Sequence, residues 1–234
     1  MRLLFSGLMA VLAAAALACK GDPTAAGAGT PIGLRSDFAA VNVVIGTKGA
    51  FTSWVIDVRS DRLEAPIGFT TCNAAIATVV ADTSYHPVPT TSMRAVVTSV
   101  LPGTTCVRVA SSGLPGDSVG VNVLKATPLV ITTTNGTTGV VGNTLQDTAR
   151  VVGGFSTLDG TVTFNLYDPT QATCAASPSH TEVVTIPGTG VYATSSGFVA
   201  NAAGDWHWRV AYSGNINNKS VTTACATEAV TISP

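Results

Sequence analysis

The feature that most constrains the fold of this chain is a recurring alternation of apolar and polar residues. A period of two is the period of a β-strand that buries one of its two faces. Four sets of apolar residues follow it: Val41, Val43 and Ile45; Trp54, Ile56 and Val58; Val162, Phe164 and Leu166; and Trp206, Trp208, Val210 and Tyr212. The pattern predicts an all-β protein built from half-buried strands.

The composition agrees with many short strands joined by turns. The 234 residues include 23 glycines and 12 prolines, threonine, serine and valine are abundant, and helix-favouring residues are scarce beyond the N-terminal stretch. Sandwich domains have roughly 100 residues each. The length therefore suits two such domains, each large enough to bury a modest core.

The N-terminal stretch has the pattern of an export signal. Arg2 precedes an apolar run over residues 3–17, and Ala16, Leu17 and Ala18 stand directly before Cys19. This stretch resembles a bacterial lipoprotein signal, which implies a signal peptide over 1–18 and lipid attachment at Cys19. The alternatives are an ordinary signal peptide or a short membrane anchor, although the run is shorter than the roughly 20 residues of a spanning helix.

Two low-complexity segments suggest the domain boundaries. Residues 19–30 contain no large apolar side chain and are predicted to form a flexible tether. A second boundary lies at 126–128, between two strand-like runs. We therefore expect one domain over 31–125, a linker over 126–128 and a second domain over 129–234.

Each domain resembles a bacterial immunoglobulin-like family. In the first, Ile76-Ala77-Thr78-Val79 and the later Gly103-Thr-Thr-x-Val107-x-Val109 resemble group 2 bacterial immunoglobulin-like domains. The second is similar to an immunoglobulin-like repeat of bacterial surface proteins through these segments: Val141-Gly142, Asp147-Thr148-Ala149, Gly160-Thr-Val-Thr-Phe-x-Leu-Tyr167, Cys174, Gly190-x-Tyr192, Ala203-Gly204-x-x-x-Trp208, Tyr212-Ser-Gly214 and Cys225-x-x-Glu228. The resemblance implies two tandem immunoglobulin-like β-sandwiches.

The five cysteines divide according to these domains. With Cys19 assigned to lipid, Cys72 and Cys106 fall in the first domain and Cys174 and Cys225 in the second. One disulfide in each domain is expected, since an exported chain allows disulfides. Free buried thiols or a four-thiolate metal site are the alternatives, but neither domain has a C-x-x-C pair.

Charge and motifs exclude several function classes. Charged residues make up 11% of the chain and the formal net charge is -1, so we expect no nucleic-acid partner. The sequence has no nucleophile elbow, and His86, His180 and His207 read as turn or surface residues. We expect no catalytic residues, no cofactor and no metal. Calcium stays open as an alternative at Asp57, Asp61, Glu64, Asp159 and Asp168, although the run from Asp57 to Glu64 reads better as a solvated charge cluster.

Together these features favour a non-enzymatic, lipid-anchored cell-envelope protein. Its domains would act as a spacer or as an adhesion module that contacts an envelope protein or a surface glycan. Lys20 after Cys19 resembles an outer-membrane sorting signal. The alternative function is a carbohydrate- or polymer-binding accessory module.

Overall fold

A computed structural model describes residues 29–86 and 91–234. The predicted signal peptide, the lipid site Cys19 and most of the predicted tether lie outside the described residues. Apart from one short 3-10 segment at Cys225–Thr227, the regular elements are β-strands, so the all-β prediction is confirmed. No helix in the described part of the chain has the length and apolar character needed to span a membrane.

Nine strands form the first sandwich. They are β1 (Gly33–Ser36), β2 (Ala40–Val44), β3 (Lys48–Ile56), β4 (Arg62–Leu63), β5 (Gly68–Thr71), β6 (Ala77–Ala81), β7 (Met93–Ser99), β8 (Gly103–Ala110) and β9 (Asp117–Leu124). One sheet has the order β1-β3-β7-β6, with β4 added to β3, and the facing sheet has the order β2-β9-β8-β5. This is the strand arrangement of an immunoglobulin-like sandwich.

Eleven strands form the second sandwich. They are β10 (Pro128–Thr134), β11 (Thr138–Val140), β12 (Thr144–Leu145), β13 (Asp147–Gly153), β14 (Gly160–Tyr167), β15 (His180–Ile186), β16 (Gly190–Ala193), β17 (Phe198–Val199), β18 (Gly204–Tyr212), β19 (Val221–Thr222) and β20 (Ala229–Ser233). A sheet β10-β13-β16 faces a sheet β11-β20-β18-β14-β15, which β19 extends beside β18, and β12 pairs separately with β17.

Most strands pair antiparallel, but each sandwich has one parallel pair, at the edge of one of its sheets. Strand β2 runs parallel to β9, and β11 runs parallel to β20. In both sandwiches an early segment has therefore crossed to the sheet that holds the last strand. The same stretch of chain therefore supplies an edge strand to each of the two sheets.

Each sandwich encloses its own apolar core. In the second, Val162, Phe164 and Leu166 of β14 are fully buried against Trp206 and Trp208 of β18, as their alternation predicts. Phe164 and Trp208 meet edge to face, with ring centroids 6.4 Å apart. These two strands are neighbours in one sheet, and their large side chains fill the space between the sheets together with inward residues of the opposite sheet, such as Ala149 and Val151.

The predicted alternation in the first sandwich is half right. Val41, Val43 and Ile45 are buried, as predicted. The set Trp54, Ile56 and Val58 does not form the inward face of β3. That face consists instead of Phe51, Ser53 and Val55. Of the predicted set, Ile56 is buried at the end of β3, Trp54 is half-buried on the outer surface, and Val58 lies beyond the strand.

Ser53 is the reason for this error. It is fully buried on an otherwise apolar face, and its hydroxyl lies 2.9 Å from that of Ser36, which in turn donates to Asp117 at 3.0 Å. A buried serine satisfied by neighbouring strands interrupts the apolar period. The inward positions therefore look less apolar in the sequence than the alternate positions, which include Trp54 and Ile56.

Candidate functional site: the joint between the sandwiches

The connection between the two sandwiches is held by backbone hydrogen bonds. Ala126 is buried in the first core, although it belongs to the predicted linker. Its N–H donates to the carbonyl of Asn217 at 2.9 Å, and its carbonyl accepts the N–H of Lys219 at 2.8 Å. The segment thus forms a short parallel bridge with a loop of the second sandwich. Lys125 adds a 2.6 Å hydrogen bond from its Nζ to the carbonyl of Asn215.

An aromatic side chain crosses from the second sandwich to the first. Phe155 lies in the loop after β13 and packs against the first core. Its ring lies against Gly46, whose φ of +83° is in the left-handed region. A Cβ at Gly46 would overlap that ring. Glycine at 46 therefore serves both the backbone turn and the close approach of Phe155.

A buried asparagine fixes the loop that carries Phe155. The Oδ1 of Asn218 accepts the N–H of Phe155 at 2.8 Å, and its Nδ2 donates to the Phe155 carbonyl at 2.9 Å. The Nδ2 also lies 3.0 Å from Oδ1 of Asn215. Because Asn218 has no solvent exposure, these bonds replace those that water would otherwise provide.

A second glycine permits this arrangement. Gly154, with φ of +74°, precedes Phe155, and a Cβ there would overlap Oδ1 of Asn218 and the side chain of Leu158. The joint thus combines a bonded linker, an inserted ring and a buried amide. These contacts add hydrogen bonds and a ring contact to the covalent connection between the sandwiches.

The structure places the four remaining cysteines in two disulfides. Cys72, just after β5, is bonded to Cys106 in β8, with their Cα atoms 5.2 Å apart. Cys174, in the loop after β14, is bonded to Cys225 of the 3-10 segment, with a Cα separation of 5.7 Å. Each bond lies within one sandwich and joins segments distant in sequence.

The acidic run after β3 is solvated except at its first residue, since Arg59, Asp61, Arg62 and Glu64 are exposed. Asp57 is buried and accepts three backbone N–H groups, from Gly29 and Arg59 at 2.8 Å and from Asp61 at 3.0 Å. The hydrogen bond from Gly29, followed by those from Arg59 and Asp61, holds the pKa of Asp57 below its usual value. Asp57 therefore organises its own loop and secures the start of the described chain.

The other predicted calcium candidates lie apart. Asp168 accepts hydrogen bonds from Thr170, Ser179 and Gln171, and Asp159 accepts one from Nδ2 of Asn215 at 2.7 Å. Within residues 29–86 and 91–234, no three side chains of histidine, cysteine, aspartate or glutamate gather in a geometry that could hold a metal ion.

The histidines occupy three different environments. His86 is exposed, and His207 lies on the outward face of β18. His180 was expected in a turn, but it begins β15 and is half-buried, with its ring centroid 5.7 Å from Phe198 and 6.5 Å from Trp208. Its Nε2 is 3.9 Å from Glu182. The three rings are thus spread over both sandwiches.

Sequence reasoning missed two interacting acids in the second sandwich, Asp147, which is buried, and Glu228, which is half-buried. Asp147 is 1% exposed, and its Oδ1 accepts the N–H of Thr148 at 2.7 Å. Burial, and then repulsion by Glu228, raise the pKa of Asp147 to about 7. Burial also raises the pKa of Glu228. Both residues appear in the segments that carry the family resemblance, which was the only available signal and assigned them no role.

The chain was compared with known proteins. No protein-family model matches it, and no curated protein matches its sequence. Among solved structures it is similar to domains 5-6 of the S-layer protein SbsC, with 15% identity and a TM-score of 0.38 over 86% of this chain and 98% of that one.

Two further structures show comparable similarity. For domains 4 and 5 of SbsC the identity is 23% and the TM-score 0.36, over 40% of this chain and about half (53%) of that one. For the Yersinia pseudotuberculosis adhesin InvE the values are 14% and 0.35, over 88% of this chain and 58% of that one. The immunoglobulin-like fold of this chain follows from its strand order and its two separate cores.

Proposed function

We propose that this protein is a non-enzymatic, lipid-anchored component of a bacterial cell envelope. In this proposal Cys19 carries the lipid, the outer membrane holds it, and the two sandwiches form a stiff spacer. The far end of the second sandwich would then be presented for adhesion or for contact with another envelope protein. The observation that carries the proposal is the joint made by Ala126, Phe155 and Asn218.

The joint supports a spacer because it limits relative rotation of the sandwiches. A single covalent connection leaves two domains free to reorient. Here the connection is itself hydrogen-bonded, and the Phe155 ring provides a contact beside it. The linker bonds and the Phe155 ring lie side by side around Asn218, so a bend or twist at the joint would have to break one of them. With such a connection, the anchored end of the protein determines where the free end of the second sandwich lies.

Distance measurements between the sandwiches test the spacer. Spin labels can be placed at the exposed positions Thr70 and Thr185 through non-natural side chains, which leaves the four cysteines intact. We expect a single narrow distance distribution for the wild-type sandwiches. The double variant Phe155→Ala/Asn218→Ala should broaden it, since both the ring contact and the loop support are lost.

The matched control is Phe38→Ala, which removes an exposed phenylalanine of the first sandwich. It should leave the distribution narrow. Near-ultraviolet circular dichroism checks that both cores stay folded in each variant. A broad wild-type distribution, or a narrow one in the folded double variant, would contradict the proposal of a stiff spacer.

A further inference from the structure

The outer face of one sheet of the first sandwich collects positively charged side chains. The outward positions of β1, β3, β4 and β7 include Arg35, Lys48, Arg62 and Arg94, all exposed. Trp54 lies among them, half-buried on the same face. We call these five residues the arginine face. The low overall charge of the chain conceals this concentration, because composition says nothing about which residues share a surface.

Two of the guanidinium groups are positioned by their neighbours. The Cζ of Arg62 lies 3.9 Å from the centre of the Trp54 ring, so the planar group stacks on the indole. Arg35 is directly opposite Trp54 in the strand register and donates to the carbonyl of Leu34 at 3.0 Å. A guanidinium group held in this way can still donate hydrogen bonds to a carboxylate. Because its side chain is already ordered, binding a ligand costs less conformational entropy.

The third guanidinium borders a depression. Arg94 is opposite Thr52 in the register and forms a long ion pair of 3.8 Å with Asp82. Beside it is a depression of about 240 Å³ lined in part by Phe38, Thr52 and Tyr85. Phe38 is 55% exposed. An exposed aromatic ring beside hydroxyl and charged groups provides the mixture of apolar and polar contacts that a sugar ring requires.

We propose that the arginine face binds an acidic polysaccharide. Carboxylates of the polymer would bind Arg35 and Arg62, and a sugar ring would occupy the depression beside Arg94. From Lys48 to Ile56, β3 spans eight residue steps, or about 27 Å, so the face has the length to contact several sugar units. This proposal concerns the side of the first sandwich and does not depend on the stiffness of the joint.

The acidic residues around the face favour a glycan over an acidic peptide. Asp37, Glu64 and Asp82 lie on the loops that border it. Carboxylates of the protein repel any anionic ligand, but a carboxylate oxygen can also accept a hydrogen bond from a sugar hydroxyl. An acidic peptide that lacks hydroxyl groups would meet only the repulsion. A polymer of uronic acids has both groups: carboxylates that can bind the arginines, and hydroxyls that can donate to the bordering acidic residues.

Binding to polygalacturonate tests the proposal with the full-length chain in detergent. We expect measurable binding that weakens as salt is raised, because exposed charges are screened. Arg35→Ala/Arg62→Ala should weaken it by about tenfold or more, as expected when two charge-assisted contacts are lost. Lys48→Ala/Arg94→Ala is a second variant on the same face and should also weaken it. The matched control is Arg108→Ala/Arg150→Ala, which removes the same charge from exposed positions elsewhere.

Three results with acidic polymers would overturn the proposal. One is the absence of wild-type binding to polygalacturonate. Another is equal affinity of the wild type, the arginine-face variants and the control, provided that their melting temperatures show intact folds. The last is binding to poly-glutamate as tight as binding to polygalacturonate, which would indicate a general polyanion surface. Neutral dextran should not bind, and equal binding to dextran would exclude recognition of the carboxylates.

Discussion

At the scale of single residues, the buried polar side chains have structural roles that their sequence motifs do not reveal. Asn218-Lys-Ser220 fits the pattern of an N-glycosylation acceptor, yet Asn218 has no exposed surface and both ends of its amide are hydrogen-bonded. A glycan on Nδ2 would remove the contact with Phe155. The motif is therefore better explained by the turn that the asparagine supports.

Asp147 predicts an unusual pH dependence of stability. Its pKa of about 7 in the folded state is above the ordinary value of 3.8, so the folded chain holds this proton more tightly than the unfolded chain does. The stabilisation is fully present below about pH 4 and is lost as the pH rises through 7. Urea unfolding at pH 5, 6, 7 and 8 should show a falling free energy of unfolding, by about 2–4 kcal/mol in all.

The variant Asp147→Asn isolates this contribution. It keeps the shape of the side chain and removes the titration, so its stability should change less between pH 5 and pH 8. Glu228 titrates with the same sign, because its pKa is also raised, and it accounts for the slope that remains. Equal slopes in the wild type and the variant would show that Asp147 is charged throughout this range.

At the scale of elements, one disulfide joins the end of β5 to its neighbour β8, and the other joins the loop after β14 to the 3-10 segment. The Cys72–Cys106 bond closes 34 residues and the Cys174–Cys225 bond closes 51. In the chain-entropy treatment each contributes up to about 4 kcal/mol by restricting the unfolded chain. Replacing either pair with serine should lower the free energy of unfolding by about 2–4 kcal/mol, measured with urea.

Intact mass gives an independent check of both bonds. The mass of the non-reduced chain should be about 4 Da below that of the reduced chain, since each bond removes two hydrogens. A difference of about 2 Da would mean that one pair is free. In that case the serine variant of the free pair should lose less stability than the other.

The elements were predictable where one face of a strand is uniformly apolar. For β14, the alternation of Val162, Phe164 and Leu166 predicts both the strand and the side of it that is buried. In β3, the buried Ser53 broke that uniformity, and Trp54 and Ile56 made the outer face look like the inner one. Which face is buried then depends on partners from other strands, such as Ser36. Local sequence carries no record of those partners.

At the scale of the whole molecule, the joint and the arginine face depend on contacts between segments far apart in the chain. Gly46 and Phe155 are separated by more than a hundred residues, and no pattern within either segment indicates that they meet. The cations of the arginine face come from four strands. Sequence periodicity predicts the strands, but only their packing shows that one end of the first sandwich is a joint and one side is charged.

The proposed attachment of the whole molecule is through Cys19, which the resemblance to a lipoprotein signal predicts to be acylated. Cells grown with a labelled fatty acid should incorporate label into the wild-type protein. Cys19→Ala removes the thiol that accepts the lipid, so the variant should contain no label and remain at the mass of the unprocessed chain. The control is Cys72→Ser/Cys106→Ser, which removes two other thiols and should keep the label. Label retained by Cys19→Ala would contradict lipid anchoring at this position. That result would leave the proposal of a stiff joint unaffected, because Ala126, Phe155 and Asn218 lie in a different part of the chain.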